Sequence, residues 1–284
     1  MATLYESRPT ELSCIYPEAW ADIYGHKNSA EREFSKDPTD FPIDARRREY
    51  NIISSNHENH RRQRKLLSHA FSEQAMRGQE PLLMQYVDLF IQRLHERKDE
   101  PVDIIRWLNF TTFDIMGELG FGEPFGCLKT RGYHEWVDII FQNVRIGSQV
   151  NAVKFYPLGE FLLELLLPES LKRKRDAHKQ LAWAKADQRM QLGVTAHGDL
   201  MSQILKHNDT ISGMSHEEIR ETTSLLIIAG SETTATALSG LVYLLGMHPH
   251  PYKRVVEEIR TAFSSEEEIT LLTASKSTHI CKLV

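Results

Sequence analysis

One apolar segment of the chain is interrupted by an acid and a run of hydroxyl side chains. Residues 225–238 read Leu-Leu-Ile-Ile-Ala-Gly-Ser-Glu-Thr-Thr-Ala-Thr-Ala-Leu. A spacing of i, i+4, i+8 and i+11 places four small residues on one helix face, where a flat molecule could approach the backbone: Ala229, Thr233, Ala237 and Gly240. Thr233 can donate a hydrogen bond to the Ala229 carbonyl, which tends to bend a helix. Glu232 is a carboxylate in apolar surroundings, which is costly unless it is solvated, paired or used.

A second group of residues lies on a basic segment near position 60. Residues 57–72 read His-Glu-Asn-His-Arg-Arg-Gln-Arg-Lys-Leu-Leu-Ser-His-Ala-Phe-Ser. His60 and Arg64 are four residues apart, so their side chains meet on one helix face. They form a fork suited to carboxylates, which arginine can bind bidentately. The same pattern is typical of a solvated basic face. A nucleic-acid helix gains no support from the net charge of −5.

The elements that must position these residues are predicted to be mainly α-helical. A capping box of Ser215 and Glu218 should begin a long central helix that ends at Gly246. We expect this helix to cross the middle of the domain, with Leu226 and Leu241 largely buried.

The other helices are predicted from apolar stripes. Two helices should occupy 57–98, separated by Gly78 to Pro81, and others should span 101–120 and 133–148, with a loop from Gly120 to Gly132 between them. Residues 1–56 are rich in turn signals and should form short helices and loops. A final helix should begin at Pro249 and Pro251 and bury Tyr252, Val255, Val256, Ile259 and Phe263.

Composition narrows the class of protein. The 284 residues, 41% hydrophobic and 26% charged, suffice for one large domain or two small ones. Three separated cysteines argue against a disulfide framework, and no spacing suggests a zinc site. No apolar run reaches the ~18 residues that span a bilayer. An apolar stretch at 157–168 before a basic cluster at 172–175 suits either a membrane surface or, more simply, a packed helix with a solvated continuation.

The hexapeptide Ala229-Gly-Ser-Glu-Thr-Thr234 resembles the oxygen-binding motif of the cytochrome P450 central helix, Ala/Gly-Gly-x-Asp/Glu-Thr-Thr/Ser, at every position. A chance Gly-Ser-Thr cluster in a buried helix is the simpler alternative. Two further features favour the family. His60-x-x-x-Arg64 is similar to the haem-propionate motif of an early helix and precedes the oxygen motif, as the family order requires. Glu-Leu-Gly-Phe-Gly-Glu-Pro-Phe-Gly at 118–126 is similar to a fungal P450 pattern.

The resemblance implies a cytochrome P450 fold with heme b, and residues 1–284 as a single partial P450 domain. It implies that Thr233 and Glu232 deliver protons for oxygen activation. His60 and Arg64 would hold the haem propionates.

Ala229 and Gly230 would make room for O2. The implied reaction inserts one oxygen atom from O2 into a small lipophilic substrate. Electrons would come from NADPH–cytochrome P450 reductase, and the pathway would be fungal secondary, mycotoxin-like metabolism.

Other parts of the family pattern are missing. The axial thiolate lies in Phe-x-x-Gly-x-Arg-x-Cys-x-Gly, which none of Cys14, Cys127 and Cys281 matches, so no metal ligand is assigned. The family's Glu-x-x-Arg pair is also unassigned, because Glu217-x-x-Arg220 precedes the oxygen motif and Glu257-x-x-Arg260 follows it too soon.

These departures suggest a P450 fragment that lacks the C-terminal cysteine-loop region and much of the N-terminal sheet. We expect a full-length form to lie on the cytosolic face of the endoplasmic reticulum membrane, and this chain to be cytoplasmic or peripheral. Two alternatives remain open: a catalytically inactive remnant without the axial cysteine, and a non-enzymatic helical binding protein.

Overall fold

The computed structural model describes residues 4–8, 11–25, 34–36, 51–134, 136–137, 169–194, 198–208 and 212–275. The described part is mainly helical, as predicted. Its elements are strands β1 (Leu4–Arg8) and β2 (Glu11–Cys14) and helices α1 (Glu18–Tyr24), α2 (His57–Ala70), α3 (Glu73–His95), α4 (Ile104–Phe121), α5 (Cys127–Thr130), α6 (Glu169–Gln191), α7 (Leu200–His207), α8 (His216–Met247), α9 (Pro249–Ala262) and α10 (Leu271–Ala274). Most of the helix predicted over 133–148 and all of the apolar stretch at 157–168 lie outside the described residues.

The predicted long central helix is α8, and its start is confirmed. The Ser215 hydroxyl accepts a hydrogen bond from the Glu218 amide at 3.2 Å, and the Glu218 carboxylate accepts one from the Ser215 amide at 2.8 Å. The predicted end at Gly246 is one residue early, because α8 continues to Met247. The helix stops before Pro249, since a proline disfavours helical geometry at the residue that precedes it.

The first half of α8 packs into the centre of the fold, between α4 and α6. Ile227, Ser231 and Ala235 are fully buried. By length and composition alone α8 could also cross a membrane, but core helices of soluble proteins pass the same test. Packing against α4 and α6 buries part of its apolar surface, in the first half of the helix.

The burial predicted for Leu226 and Leu241 is wrong, because both are only half-buried. No residue of α8 after Ala235 is buried, and five large side chains there are exposed: Leu238, Val242, Tyr243, Leu244 and Met247. The stripe predicted on α9 is likewise half-buried at best, with Tyr252 exposed. An amphipathic stripe is buried only where a second element covers it. Among the described elements, none buries the second half of α8 or the stripe on α9.

Three local predictions are also corrected. Gly78 and Pro81 lie inside α3 and do not separate two helices; the break falls instead between Ala70 and Glu73. The predicted loop from Gly120 to Gly132 contains the short helix α5. Its first two amides, at Cys127 and Leu128, donate to the buried Asp114 carboxylate, each at 2.9 Å. The N-terminal region holds the antiparallel hairpin β1–β2 as well as the short helix α1.

A buried ion pair joins α6 to the start of α7. Arg189 and Asp199 are each only 1% exposed, and two nitrogens of Arg189 donate to the two Asp199 oxygens at 2.9 Å. Asp199 also caps α7 by accepting the Ser202 amide at 2.7 Å. The end of α4 touches this pair at Gly122, which has φ +71 and where a Cβ atom would lie 2.8 Å from the Arg189 side chain. Three helices therefore meet at one buried charge pair.

Candidate functional site

The small-residue face predicted on α8 is open in the structure. All four of its members are exposed: Ala229, Thr233, Ala237 and Gly240. The Thr233 hydroxyl donates to the Ala229 carbonyl at 2.5 Å, as predicted from their spacing. This bond fixes the hydroxyl oxygen at the edge of the open face. The small-residue face therefore lies open on α8, which has 32 residues.

Glu232 lies next to this face and is half-buried. Its Oε2 atom is buried without a hydrogen-bond partner among the described residues. Burial raises the pKa of the Glu232 carboxyl above its ordinary value, because desolvation disfavours the charged form. The carboxyl therefore keeps its proton to a higher pH than an exposed glutamate does. A carboxyl whose pKa is raised in this way is a candidate proton donor.

Gly230 has a packing role that the sequence did not reveal. A Cβ atom at this position would lie 2.7 Å from the sulfur of Met116 on α4. About one turn away the glycine belongs to α4 and the large side chain to α8. A Cβ atom at Gly120 of α4 would lie 3.0 Å from the Ile227 side chain of α8. Each helix thus offers a glycine to a large side chain of the other. This reciprocal contact sets how closely α4 and α8 approach beside Glu232 and Thr233.

Replacing Gly230 by alanine forces the end of the flexible Met116 side chain to move, so overpacking should cancel or outweigh the helix gain of alanine and change the free energy of unfolding by about 0 to −1 kcal/mol. The matched control is Gly240→Ala, where the added methyl group meets open space. That variant should gain about 0.5–1 kcal/mol, because alanine favours a helix over glycine. Urea denaturation followed by circular dichroism measures both. Equal effects of the two substitutions would contradict the close contact with Met116.

His60 and Arg64 both lie on α2, with His60 half-buried and Arg64 exposed. The buried side of α2 consists of Gln63, Leu66, Leu67 and Ala70, and Leu226 of α8 packs against the clusters that hold three of these residues. The described contacts do not join His60 or Arg64 to the open face of α8. Their shared role stays a prediction, and so do the roles of Thr233, Glu232, Ala229 and Gly230.

The polar anchor between α2 and α8 was missed from the sequence. Arg62 and Gln63 both donate to the Glu218 carboxylate, the latter at 3.1 Å, and Arg62 also donates to the Gly213 carbonyl. Burial acts to raise the pKa of Glu218, but hydrogen bonds from Arg62, the Ser215 amide and Gln63 outweigh it and lower the pKa. Because 155 residues separate Gln63 from Glu218, no local pattern could have indicated this pairing.

The described cysteines do not form a metal centre. Cys127 is fully buried in the aromatic core, and Cys14 is half-buried near the N-terminal hairpin. Cys281 lies outside the described residues. Within the described ranges no group of three or more His, Cys, Asp or Glu side chains could hold a metal ion. The residues that would suit a flat cofactor are those of the open face of α8.

Helix α8 combines an open small-residue face, a threonine bonded to the preceding turn and a desolvated glutamate, which are the features that the sequence predicted for it. The Cytochrome P450 family model matches residues 11–276. The chain belongs to the cytochrome P450 family.

Similarity to individual proteins agrees with this assignment. The chain is 45% identical over 272 residues to cytochrome P450 monooxygenase astJ of Aspergillus oryzae, covering 95% of this chain and 54% of that protein. It is 39% identical over 270 residues to the trichothecene C-15 hydroxylase of Fusarium sporotrichioides, and the match covers 93% of this chain and 54% of that protein. The crystal structure of a cytochrome P450, CYP102L1, superposes with a TM-score of 0.77 at 17% identity, over 100% of this chain and 65% of that one. The chain spans about half the length of the curated relatives it matches.

Proposed function

We propose that this chain forms part of a haem-dependent monooxygenase that inserts one oxygen atom from O2 into a small lipophilic substrate. The observation that carries the proposal is the open face of α8, where the Thr233 hydroxyl and the desolvated Glu232 carboxyl lie in adjacent positions. Relatives named as a trichothecene C-15 hydroxylase and an averantin hydroxylase support a substrate from fungal secondary metabolism.

The residues present fit heme b on this side. Residues without bulky side chains at Ala229, Thr233 and Gly240 leave the α8 backbone accessible to a flat ring system. Haem with a cysteine thiolate ligand supplies the oxygen-activating chemistry, because the thiolate pushes electron density that favours O–O cleavage. His60 and Arg64 would hold its propionates, since their spacing suits carboxylates.

The chain's own contribution is the movement of protons. Burial raises the pKa of the Glu232 carboxyl, which favours its protonated form relative to that of an exposed glutamate. The Thr233 hydroxyl donates its hydrogen to the Ala229 carbonyl, so its oxygen is left to accept a hydrogen bond at the open face. To pass a proton on, the hydroxyl would release the Ala229 carbonyl and turn toward that face. The cofactor does the difficult chemistry, and the protein positions and protonates. We also propose NADPH–cytochrome P450 reductase as the electron donor and the cytosolic face of the endoplasmic reticulum as the location.

A catalytically inactive product is the second candidate, because no cysteine in the sequence has the family's haem-ligand context. A carbon-monoxide difference spectrum separates the two. We expect the purified chain alone to lack the thiolate-type band. A chimaera, in which the unmatched part of the Aspergillus oryzae relative completes this chain, should show it. If the folded chimaera takes up no haem, the monooxygenase proposal fails. A thiolate-type band from the chain alone would contradict our assignment of its cysteines.

A further inference from the structure

A basic cleft lies between α2 and the last turn of α7, away from the open face of α8. It has a volume of about 510 Å3. Most of its lining comes from one side of α2, at spacings that repeat every three or four residues. The charged and imidazole side chains that line it are Glu58, Arg61, Arg62, Lys65, His69 and His207.

Two of the three cations in this cleft have no partner among the residues that the structure describes. Arg62 is held by Glu218 and the Gly213 carbonyl. Arg61 and Lys65, by contrast, have neither an ion pair nor a side-chain hydrogen bond within the described part of the chain. Glu58 is the one carboxylate of the lining, and it is not bonded to either of them. The cleft therefore holds two uncompensated positive charges one helical turn apart.

Two imidazoles close one end of the cleft. The rings of His69 and His207 are stacked, with centroids 4.2 Å apart and planes within 7°. The Nδ1 atom of His207 lies 2.9 Å from the Gln203 carbonyl oxygen, which can only accept, so Nδ1 is the donor there. The stacked rings line the same cleft as Lys65 and add ring nitrogens to its lining.

We propose that this cleft binds a phosphate group, with Arg61 and Lys65 as its principal partners. A phosphate monoester carries close to two negative charges and three acceptor oxygens. The arginine fork binds such oxygens bidentately, and lysine binds them as a point charge. The phosphate could belong to a soluble phosphorylated compound or to a phospholipid headgroup.

Isothermal titration of the full chain with inorganic pyrophosphate, at near-physiological salt, tests the proposal. We expect saturable binding of one pyrophosphate, weakened about tenfold by Arg61→Gln and by Lys65→Gln, since each removes a charge-assisted contact. His207→Gln should weaken binding severalfold. Both basic side chains are exposed, so the variants should fold normally, which circular dichroism checks.

The matched control is Arg77→Gln on α3, which removes the same charge outside the cleft from an exposed pair with Glu73. It should change the affinity less than twofold. The proposal is overturned if pyrophosphate does not bind saturably, or if the control weakens binding as much as Lys65→Gln.

Vesicles of phosphatidylcholine with phosphatidic acid distinguish the two sources of phosphate. Vesicle binding that Lys65→Gln weakens and pyrophosphate displaces would identify a lipid headgroup. Pyrophosphate binding without vesicle binding would identify a soluble compound. Either result supports the phosphate site.

Discussion

Replacing Asp199 by alanine should lower the free energy of unfolding by about 3–5 kcal/mol, because it leaves the Arg189 guanidinium buried without its carboxylate. Arg189 is only 1% exposed, and two of its nitrogens donate hydrogen bonds to the Asp199 carboxylate. The same substitution also removes the cap of α7, which adds about 1 kcal/mol to the loss. Chemical denaturation followed by circular dichroism measures the change.

The control for this prediction is the exposed ion pair of Glu73 and Arg77 on α3. Its side chains are 75% and 57% exposed, so Glu73→Ala should cost at most about 0.5 kcal/mol. The double substitution Arg189→Met with Asp199→Leu should recover part of the loss, because no unpaired charge then remains buried. An Asp199→Ala effect no larger than that of Glu73→Ala would show that water reaches the pair.

The central helix and its motif could be predicted because their determinants are local. The capping box of Ser215 and Glu218 spans three residues, and the Thr233–Ala229 hydrogen bond spans four. Both are found where the spacing placed them. The helix predicted over 101–120 is α4, and its start also has a local cause, because the Asp103 side chain accepts a hydrogen bond from the Arg106 amide at 3.2 Å.

Features that depend on distant contacts could not be predicted. Helix α3 continues through Pro81 although proline disfavours a helix interior by about 3 kcal/mol. Burial of Leu82 in one cluster with Leu119 of α4 helps to offset the cost of Pro81. This contact between distant segments cannot be recognised from the local sequence. The role of Gly230 is hidden for the same reason, since Met116 lies more than a hundred positions away. The stripe on α9 was misjudged because apolar periodicity shows which face can be buried and not whether another element covers it.

In the chimaera, Thr233→Ala should lower product formed per O2 consumed by about tenfold or more, which corresponds to about 1.4 kcal/mol of transition-state stabilisation for each tenfold. The hydroxyl is the group that the Ala229 carbonyl holds at the open face. Without it the proton from Glu232 has no fixed relay, and reduced oxygen should leave as peroxide. Haem content should be unchanged, because the substitution removes only a hydroxyl and a methyl group from a face that is already open.

Arg64→Ala separates cofactor retention from proton delivery and is the matched comparison. Arg64 is exposed on α2, so its loss should not disturb folding. If it holds a propionate, the variant should retain less haem, while product per O2 on the haem that remains should stay close to that of the parent. Product, peroxide and haem content are measured for both variants. The two residues have separate roles only if Thr233→Ala changes the product-to-peroxide ratio and Arg64→Ala changes the haem content. A loss of haem in both variants would mean that α8 and α2 serve only to bind the cofactor, and Glu232 would then need another partner for its proton.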